Sequence, residues 1–429
     1  MAYESVFEED IEKLSKLFEA GTFRFRILSA RCSPGSSSGD NYMSVVKRIV
    51  LTGRDSDENE KSISLIVKRQ IASLSRRQLY RCDEAFSNEI SALKEVVPML
   101  ERQTQATTGL IFPKCYFAGK DEAGDIIVLE DLKEQNFSMR NRLHGLDFEH
   151  CQLVMKELAR LHGASIGAKL GDFHEFRSKV KSLRDIVYCE EAREFYSNVL
   201  DSAMDEALNS LRTSNTDGSL TEAIRLIELI QPTLFEKLKD NISSQYAPHT
   251  VACHGDLWIN NMMFKDDSET GKPTAVKFFD LQAMRYTSPI FDILHFIYTS
   301  TKRDMRDVYL TQILETYCKR VNLHIDQQNY PNEGDDLIHE FDAIKESFSL
   351  QSIMEEFKEK VLYGLAVAIW ILPAVTFDVN NLPNLDLLSE TNQHGKELKC
   401  TQKLTPEYHS RIRDLALEFY QNGFLNIPE

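Results

Sequence analysis

The sequence predicts an α+β chain in two parts, a smaller β-rich N-terminal part (residues 1–132) and a larger, mainly helical C-terminal part (133–429). Three observations predict it. Runs of β-branched residues separated by turn-forming stretches fill much of the chain as far as Leu132. From Asp147 onward the apolar residues recur with a helical period. A compact strand-forming region between residues 251 and 279 then interrupts the helices.

Taken in order, Tyr42 to Thr52 (YMSVVKRIVLT) and Ser62 to Lys68 (SISLIVK) read as the two strands of a hairpin across the polar segment Gly53 to Lys61. Asp83 to Leu100 carries Phe86, Ile90, Leu93 and Val97 on one stripe of a 3.6-residue period, with Asp83 as its N-cap. Phe112 to Ala118 and Ile126 to Leu132 supply two more strands around the turn Gly119 to Asp125. Beyond these, Phe148 to Ala168, Glu190 to Leu211 and Leu220 to Asp240 read as helices. Val251 to His254 and Asn261 to Lys265 read as a second hairpin, followed by the strand Thr274 to Phe279. Further helices are expected from near Pro289, Asp335 and Glu356, and over Pro406 to Gln421. No repeat of fixed period is visible.

Composition narrows the function classes. With 429 residues, 42% apolar and 27% charged, the chain has the balance of a folded, water-soluble protein. Fifty basic against 66 acidic residues leave a net charge of −16, which repels phosphate backbones and anionic membranes, so nucleic acid is not an expected partner. The eight cysteines are widely separated along the chain and form no C-x-x-C pair, excluding the usual zinc and redox spacings; reduced, mostly buried thiols in a cytoplasmic protein are the expectation. The acidic segment from Met1 to Ala20 does not form a targeting segment. Val361 to Phe377, an apolar stretch that includes Gly364 and Pro373, reads as a buried core helix ending near Pro373 rather than a membrane anchor. None of the eleven histidines pairs with another at i+3 or i+4, so no zinc helix is expected.

The chemistry concentrates in His254-Gly255-Asp256-Leu257-Trp258-Ile259-Asn260-Asn261, which sets a carboxylate and an amide five residues apart in a tight loop, with Asp280 ending the next strand. A carboxylate that orients an acceptor hydroxyl, plus an amide oxygen and a second carboxylate that hold Mg²⁺ against a triphosphate, is the set phosphoryl transfer needs. An H-G-D-x-x-x-x-N string followed by an aspartate on the next strand resembles the aminoglycoside phosphotransferase and choline kinase superfamily, relatives of the protein kinases. The longer strings HGDLWINNMMF and DLQAMRYTSPIFDI resemble the ecdysteroid kinase-like branch, also called CHK-like kinases, with motifs from about Cys32 to Pro373.

The resemblance implies a two-lobed protein kinase-like fold, ATP and Mg²⁺ as cofactors, and a small-molecule kinase that phosphorylates a hydroxylated acceptor, an ecdysteroid above all. It implies Asp256 as the catalytic base, Asn261 and Asp280 as metal ligands, Lys68 on the α- and β-phosphates and Glu89 as its ion-pair partner. Read alone, Lys68 and Glu89 are each more often solvated surface charges, although its place after a β-strand favours Lys68 over the neighbouring arginines. The segment Ser33 to Ser44 is by itself an ordinary Ser/Gly turn, and by resemblance a phosphate-covering loop with Gly35 and Gly39 as hinges. Backbone groups near Glu130 and Leu132 would bind adenine at the inter-lobe hinge. Asp292, in the first turn of a helix opened by Ser288 and Pro289, would brace the catalytic loop. His254 reads as a loop support and His162 as a helix-face core residue.

Departures from the protein kinases bear on the acceptor. Gly255 stands where they carry Arg, and Leu281-Gln282 replaces Phe-Gly with no activation segment behind it, which disfavours a protein substrate. Trp258, Tyr286, Phe291 and the helix around Trp370 are candidates to line an apolar acceptor pocket, or simply core. A choline, ethanolamine or xenobiotic kinase is the rival within the enzyme class, and a non-catalytic ligand-binding protein the rival outside it. Cys253, beside the loop, reads as a buried thiol rather than a regulatory one.

Overall fold

The computed structural model describes residues 2–19, 25–35, 43–103, 111–122, 124–243, 248–327, 335–377 and 404–426. The N-terminal part comprises α1 (Ala2–Glu19), β1 (Arg26–Pro34), β2 (Ser44–Arg54), β3 (Glu60–Gln70), α2 (Leu74–Leu79), α3 (Cys82–Ser91), a π-helical turn (Ala92–Val96), α4 (Val97–Glu101), β4 (Cys115–Asp121) and β5 (Gly124–Glu130). Its five strands form one antiparallel sheet in the order β1-β2-β3-β5-β4.

The two faces of this sheet bury different sets of residues because side chains alternate along each strand. Leu14 and Phe18 of α1 cover Ile49, Leu51, Leu65, Val67, Ile126 and Val128 on one face. On the other, Ile66, Ile127 and Leu129 join Phe86 and Leu93 in the larger core. Lys68 therefore falls on the face of α3, and Arg69 on the face of α1, where it pairs with Asp10 and Asp121 at 2.5 and 2.7 Å. Lys47 shares Asp10 at 2.9 Å, so a carboxylate of α1 ties β2 to β3 from behind.

Several local expectations are corrected here. The expected hairpin of Tyr42 to Thr52 and Ser62 to Lys68 is β2–β3; what the sequence does not show is the strand before it, Arg26–Pro34, which pairs along β2. Asp83 does not cap α3. The helix starts at Cys82 after Arg81, whose left-handed backbone (φ 51°) makes the corner from α2, and the Asp83 carboxylate accepts from Gln70 and Arg77 instead. Phe86, Leu93 and Val97 of the apolar stripe are buried as expected, with Ile90 half-buried against the same core, although a π turn and Pro98 divide the helix.

The C-terminal part runs through β6 (Phe137–Ser138), α5 (Phe148–Gly171), α6 (Phe173–Val180), α7 (Arg193–Ser214), α8 (Thr221–Ser243), β7 (Val251–Cys253), β8 (Met262–Asp266), β9 (Pro273–Phe278), β10 (Arg285–Thr287) and α9 (Ile290–Ser300). It continues with α10 (Arg303–Asp326), α11 (Asp335–Ser347), α12 (Leu350–Thr376) and α13 (Pro406–Gln421). Side-chain caps set several of these starts: Asp147 accepts the His150 amide on α5, and Thr405 accepts the Tyr408 amide on α13, with Pro406 just inside. The fold is two-lobed α+β, as the sequence predicts.

Val251 to His254 and Asn261 to Lys265 do not form a hairpin with each other. β7 pairs with β10, and β8 pairs with β6 and β9, so the loop between β7 and β8 bridges two small sheets. The apolar helix α12 starts at Leu350 and passes through Pro373 to Thr376. A proline this close to the end removes one backbone bond, and the Thr376 hydroxyl donates to the carbonyl of Leu372. Among the described residues α12 is long and apolar enough to cross a membrane, but 61% of its apolar window is buried inside the protein.

Candidate functional site

The loop from β7 to β8 is held from behind by α9. The Asp292 carboxylate accepts the amides of His254 and Gly255 at 2.7 and 2.8 Å and lies 3.2 Å from His162 Nε2. Its pKa is about 2: burial pushes it up, but the His162 contact, the neighbouring imidazoles and the Gly255 amide outweigh that. His162 is thus more than core filling, since its Nδ1 meets the Tyr317 hydroxyl at 2.8 Å and its other nitrogen supports Asp292. Cys253 is fully buried, directs its thiol at the carbonyls of Thr287 and Ser288, and burial pushes its pKa well up. His162, Cys253 and Asp292 lie within 4.8 Å of one another, yet the partners just named account for each of their polar groups; the trio is a brace.

His254, also fully buried, lies 3.1 Å from the Phe279 carbonyl through Nε2, which donates, and accepts the Asp256 amide on Nδ1. Burial pushes its pKa down, which keeps the ring neutral. Gly255 takes φ 84°, and a Cβ there would sit 1.9 Å from the Ala283 carbonyl oxygen. This gives a physical reason for glycine where protein kinases carry Arg. Gly255→Ala is expected to lower both kcat and the melting temperature, because the left-handed backbone alone costs about 1–2 kcal/mol and the carbonyl must also move. Unchanged melting and turnover would contradict this packing.

Asp256 and Asn261 are joined directly: Asn261 Nδ2 donates to the Asp256 carboxylate and to its backbone carbonyl, both at 2.9 Å. This commits the amide nitrogen and leaves the amide oxygen for another partner. Asn261 in turn receives the Phe279 amide on its carbonyl at 3.0 Å, which brings it beside Asp280. Asp280 adopts φ 68°, an uncommon left-handed state for a residue other than glycine, and its side chain stays 21% exposed. Lys68, reaching from β3, donates to Glu89 of α3 at 2.5 Å and to Asp280 at 2.7 Å. Burial alone would lower the Lys68 pKa, but the two carboxylates raise it and keep the ammonium charged.

The five residues Lys68, Glu89, Asp256, Asn261 and Asp280 therefore meet between the sheet and the helices. Asn88 of α3 reinforces the junction by donating to the carbonyls of Gln282 and Met284 and accepting the Arg184 amide. Gly35 closes the base of the β1–β2 hairpin by donating its amide to Val46, whose side chain leaves 2.7 Å for any Cβ at Gly35. Gly39 lies outside the described residues. At the end of β5 the Glu130 amide is donated to the Lys114 carbonyl, so it is not open to a base, and the Glu130 carboxylate pairs with Lys277 at 2.8 Å. Leu132 is buried against Phe137 and Met263 at the start of a short turn.

The aromatic residues expected around an acceptor divide. Phe291 is fully buried with its ring edge-on to Tyr363, Tyr286 packs edge-on against Phe176 with its hydroxyl bonded to Thr250, and Trp370 packs on Tyr196. These three are core contacts. Trp258, two residues beyond Asp256 in the loop itself, is half-buried and packs against the same core. His295 and Tyr363 are not legible in the sequence as site residues; His295 Nε2 lies 3.4 Å from the Asp256 carboxylate, one helical turn beyond Asp292. The i, i+3 spacing of Asp292 and His295 is the available signal. A cavity of ≈ 560 Å³ between the segment before α5 and the start of α10 contains none of these residues.

No curated protein matches the sequence. Solved structures similar to the chain include the GDP complex of wild-type aminoglycoside 2'-phosphotransferase-IIIa, at 11% identity and TM-score 0.37, covering 83% of this chain and 96% of that one. A choline/ethanolamine kinase family protein from Mesorhizobium loti matches at 13% identity and TM-score 0.30, covering 84% and 99%. The sequence profile of the ecdysteroid kinase-like family matches residues 38–330, a span that holds all five clustered residues, and the chain accordingly belongs to the ecdysteroid kinase-like family, as a small-molecule phosphotransferase.

Proposed function

We propose that the protein transfers the γ-phosphoryl group of ATP to a hydroxyl of a small apolar molecule, an ecdysteroid being the acceptor the family description points to. The observation that carries this reading is the meeting of Lys68, Glu89 and Asp280 with the bonded pair Asp256 and Asn261. One ammonium against three carboxylates leaves the site short of positive charge. The oxygens of Asp280 and Asn261 are hard donors of the kind Mg²⁺ takes, so the residues present fit that ion. When bound there, Mg²⁺ would offset charge on the phosphate oxygens.

The chain's own groups then have separable tasks. Lys68, aimed by Glu89, meets the α- and β-phosphates. Asp256 accepts a hydrogen bond from the acceptor hydroxyl and takes its proton as the oxygen attacks the γ-phosphorus and the bond to the departing ADP breaks. Its pKa lies below the ordinary carboxylate value: burial pushes it up, but the adjacent His295 ring and the Asn261 donor outweigh that, so it is ionised and ready to accept. The β1–β2 hairpin, through Gly35, covers the phosphates, and backbone groups from Glu130 to Leu132 other than the Glu130 amide meet the adenine.

The test incubates the full chain with MgATP and a panel of ecdysone, choline, ethanolamine and other alcohols, and identifies phosphorylated product by mass. Phosphorylated ecdysone is expected. In parallel MgATP should raise the melting temperature, since a ligand at 100 times its Kd adds about 2.7 kcal/mol, and Asp280→Asn should lose that rise. Product from choline alone would transfer the reading to an amino-alcohol kinase. A chain that gains no stability from MgATP would be a binding protein without nucleotide chemistry.

A further inference from the structure

We infer that His295 is a positioning residue for Asp256, its ring proton directed at the carboxylate by a hydrogen-bond relay from Arg285 through Tyr363. The inference rests on the kinase reading of the site. His295 sits on the face of α9 that also delivers Asp292, and it is 4% exposed. Its Nε2 lies 3.4 Å from Asp256 Oδ1 and, although buried, makes no well-aligned hydrogen bond with any described residue. Its Nδ1 lies 3.2 Å from the Tyr363 hydroxyl. Arg285 Nη2 lies 2.8 Å from that same hydroxyl, and Arg285 Nη1 is held by Asp185 at 2.9 Å.

The direction of the relay follows from which groups can accept. A guanidinium has donors only, so Arg285 must donate to the Tyr363 oxygen. The tyrosine proton then has the imidazole as its partner, which makes His295 Nδ1 an acceptor and leaves the single ring proton on Nε2, facing Asp256. The alternative tautomer would leave the tyrosine proton without the imidazole as its acceptor and would set a bare Nε2 lone pair against the Asp256 carboxylate. Burial pushes the Tyr363 pKa up to about 12, so the hydroxyl keeps the proton the relay needs. An Nε2–H beside Oδ1, together with Asn261 Nδ2 on Oδ2, sets the carboxylate plane and leaves its remaining lone pairs for an acceptor hydroxyl. The loose 3.4 Å geometry matches a catalytic contact that tightens when substrates close the site.

Two measurements on the full chain test this. In ¹⁵N-histidine NMR without substrate, the ring signal missing from His295→Gln identifies His295, and it should show Nδ1 as an acceptor with the ring proton on Nε2; Tyr363→Phe should shift or mix that tautomer. A proton on Nδ1 overturns the inference. In kinetics with MgATP and the acceptor from the panel, His295→Leu should lower kcat about 10- to 100-fold, the range set by misplacing a reacting group, with KM for ATP within about twofold. His295→Gln, whose amide can still donate to Asp256, should recover much of that kcat. Equal losses in the Leu and Gln variants, or none in either, would overturn it. Should the wild type transfer phosphate to no acceptor, the kinase reading fails, and the NMR result still decides whether the relay exists. If the Leu variant does not fold, the Gln and Tyr363→Phe variants decide the kinetics.

Discussion

Asp256→Asn is expected to lower kcat by about 10²–10⁴-fold, the contribution of a positioned general base, while leaving the MgATP-induced rise in melting temperature intact. The asparagine is nearly isosteric and can still accept from Asn261 Nδ2, so the loop that now ties the two residues at 2.9 Å should survive. What disappears is the negative charge and the capacity to take a proton. In the proposed arrangement the nucleotide contacts fall to other residues, the paired Lys68 and Asp280, so binding and chemistry should separate in this variant. The wild-type enzyme should also show an acid limb. Because the neighbours of Asp256 hold its pKa below the ordinary value, activity lost by its protonation should disappear only below about pH 4. Near-normal turnover in Asp256→Asn would remove this residue from its role.

The sequence made the local elements legible and left the long-range pairings hidden. The stripe Phe86, Ile90, Leu93 and Val97, the helix over Pro406–Gln421 and the strand that ends near Lys68 all carry their own periodicity or caps, and each lies where that signal puts it. β7 and β8 look like a hairpin because both are short and close in sequence. Their actual partners, β10 and β6 with β9, are chosen by packing that no local pattern records. β1 is mostly exposed, so it lacks the alternation that marks a half-buried strand, and α10 is buried only in part, without a strong apolar stripe. The loop motif placed Asp256 and Asn261 together because a five-residue spacing in a tight loop is a local fact. His295 and Tyr363 come from α9 and α12, and only the fold brings them to one chain of contacts.

Asp292→Ala should destabilise the protein more than Gly255→Ala or Asp256→Asn, by about 3–5 kcal/mol, the usual result of removing one partner from a buried charged cluster. Three groups lose their acceptor at once: the amides of His254 and Gly255 and the imidazole of His162. None can turn to solvent, since Asp292, His162 and His254 are each at most 1% exposed. Asp292→Asn keeps one oxygen, so it should cost less, about 1–3 kcal/mol for a single unsatisfied amide. The pH dependence has a definite sign. The folded pKa of about 2 lies below the ordinary 3.8, so the carboxylate adds stability above about pH 4 and loses it as pH falls toward 2. The gap between wild type and Asp292→Asn in urea unfolding should therefore narrow across that window. Activity should fall together with stability, because the two amides that Asp292 anchors immediately precede Asp256. That joint loss distinguishes a brace from the base it supports, since Asp256→Asn should lose turnover alone. An Asp292→Ala protein that is as stable as wild type yet inactive would place Asp292 among the groups that touch the substrates instead.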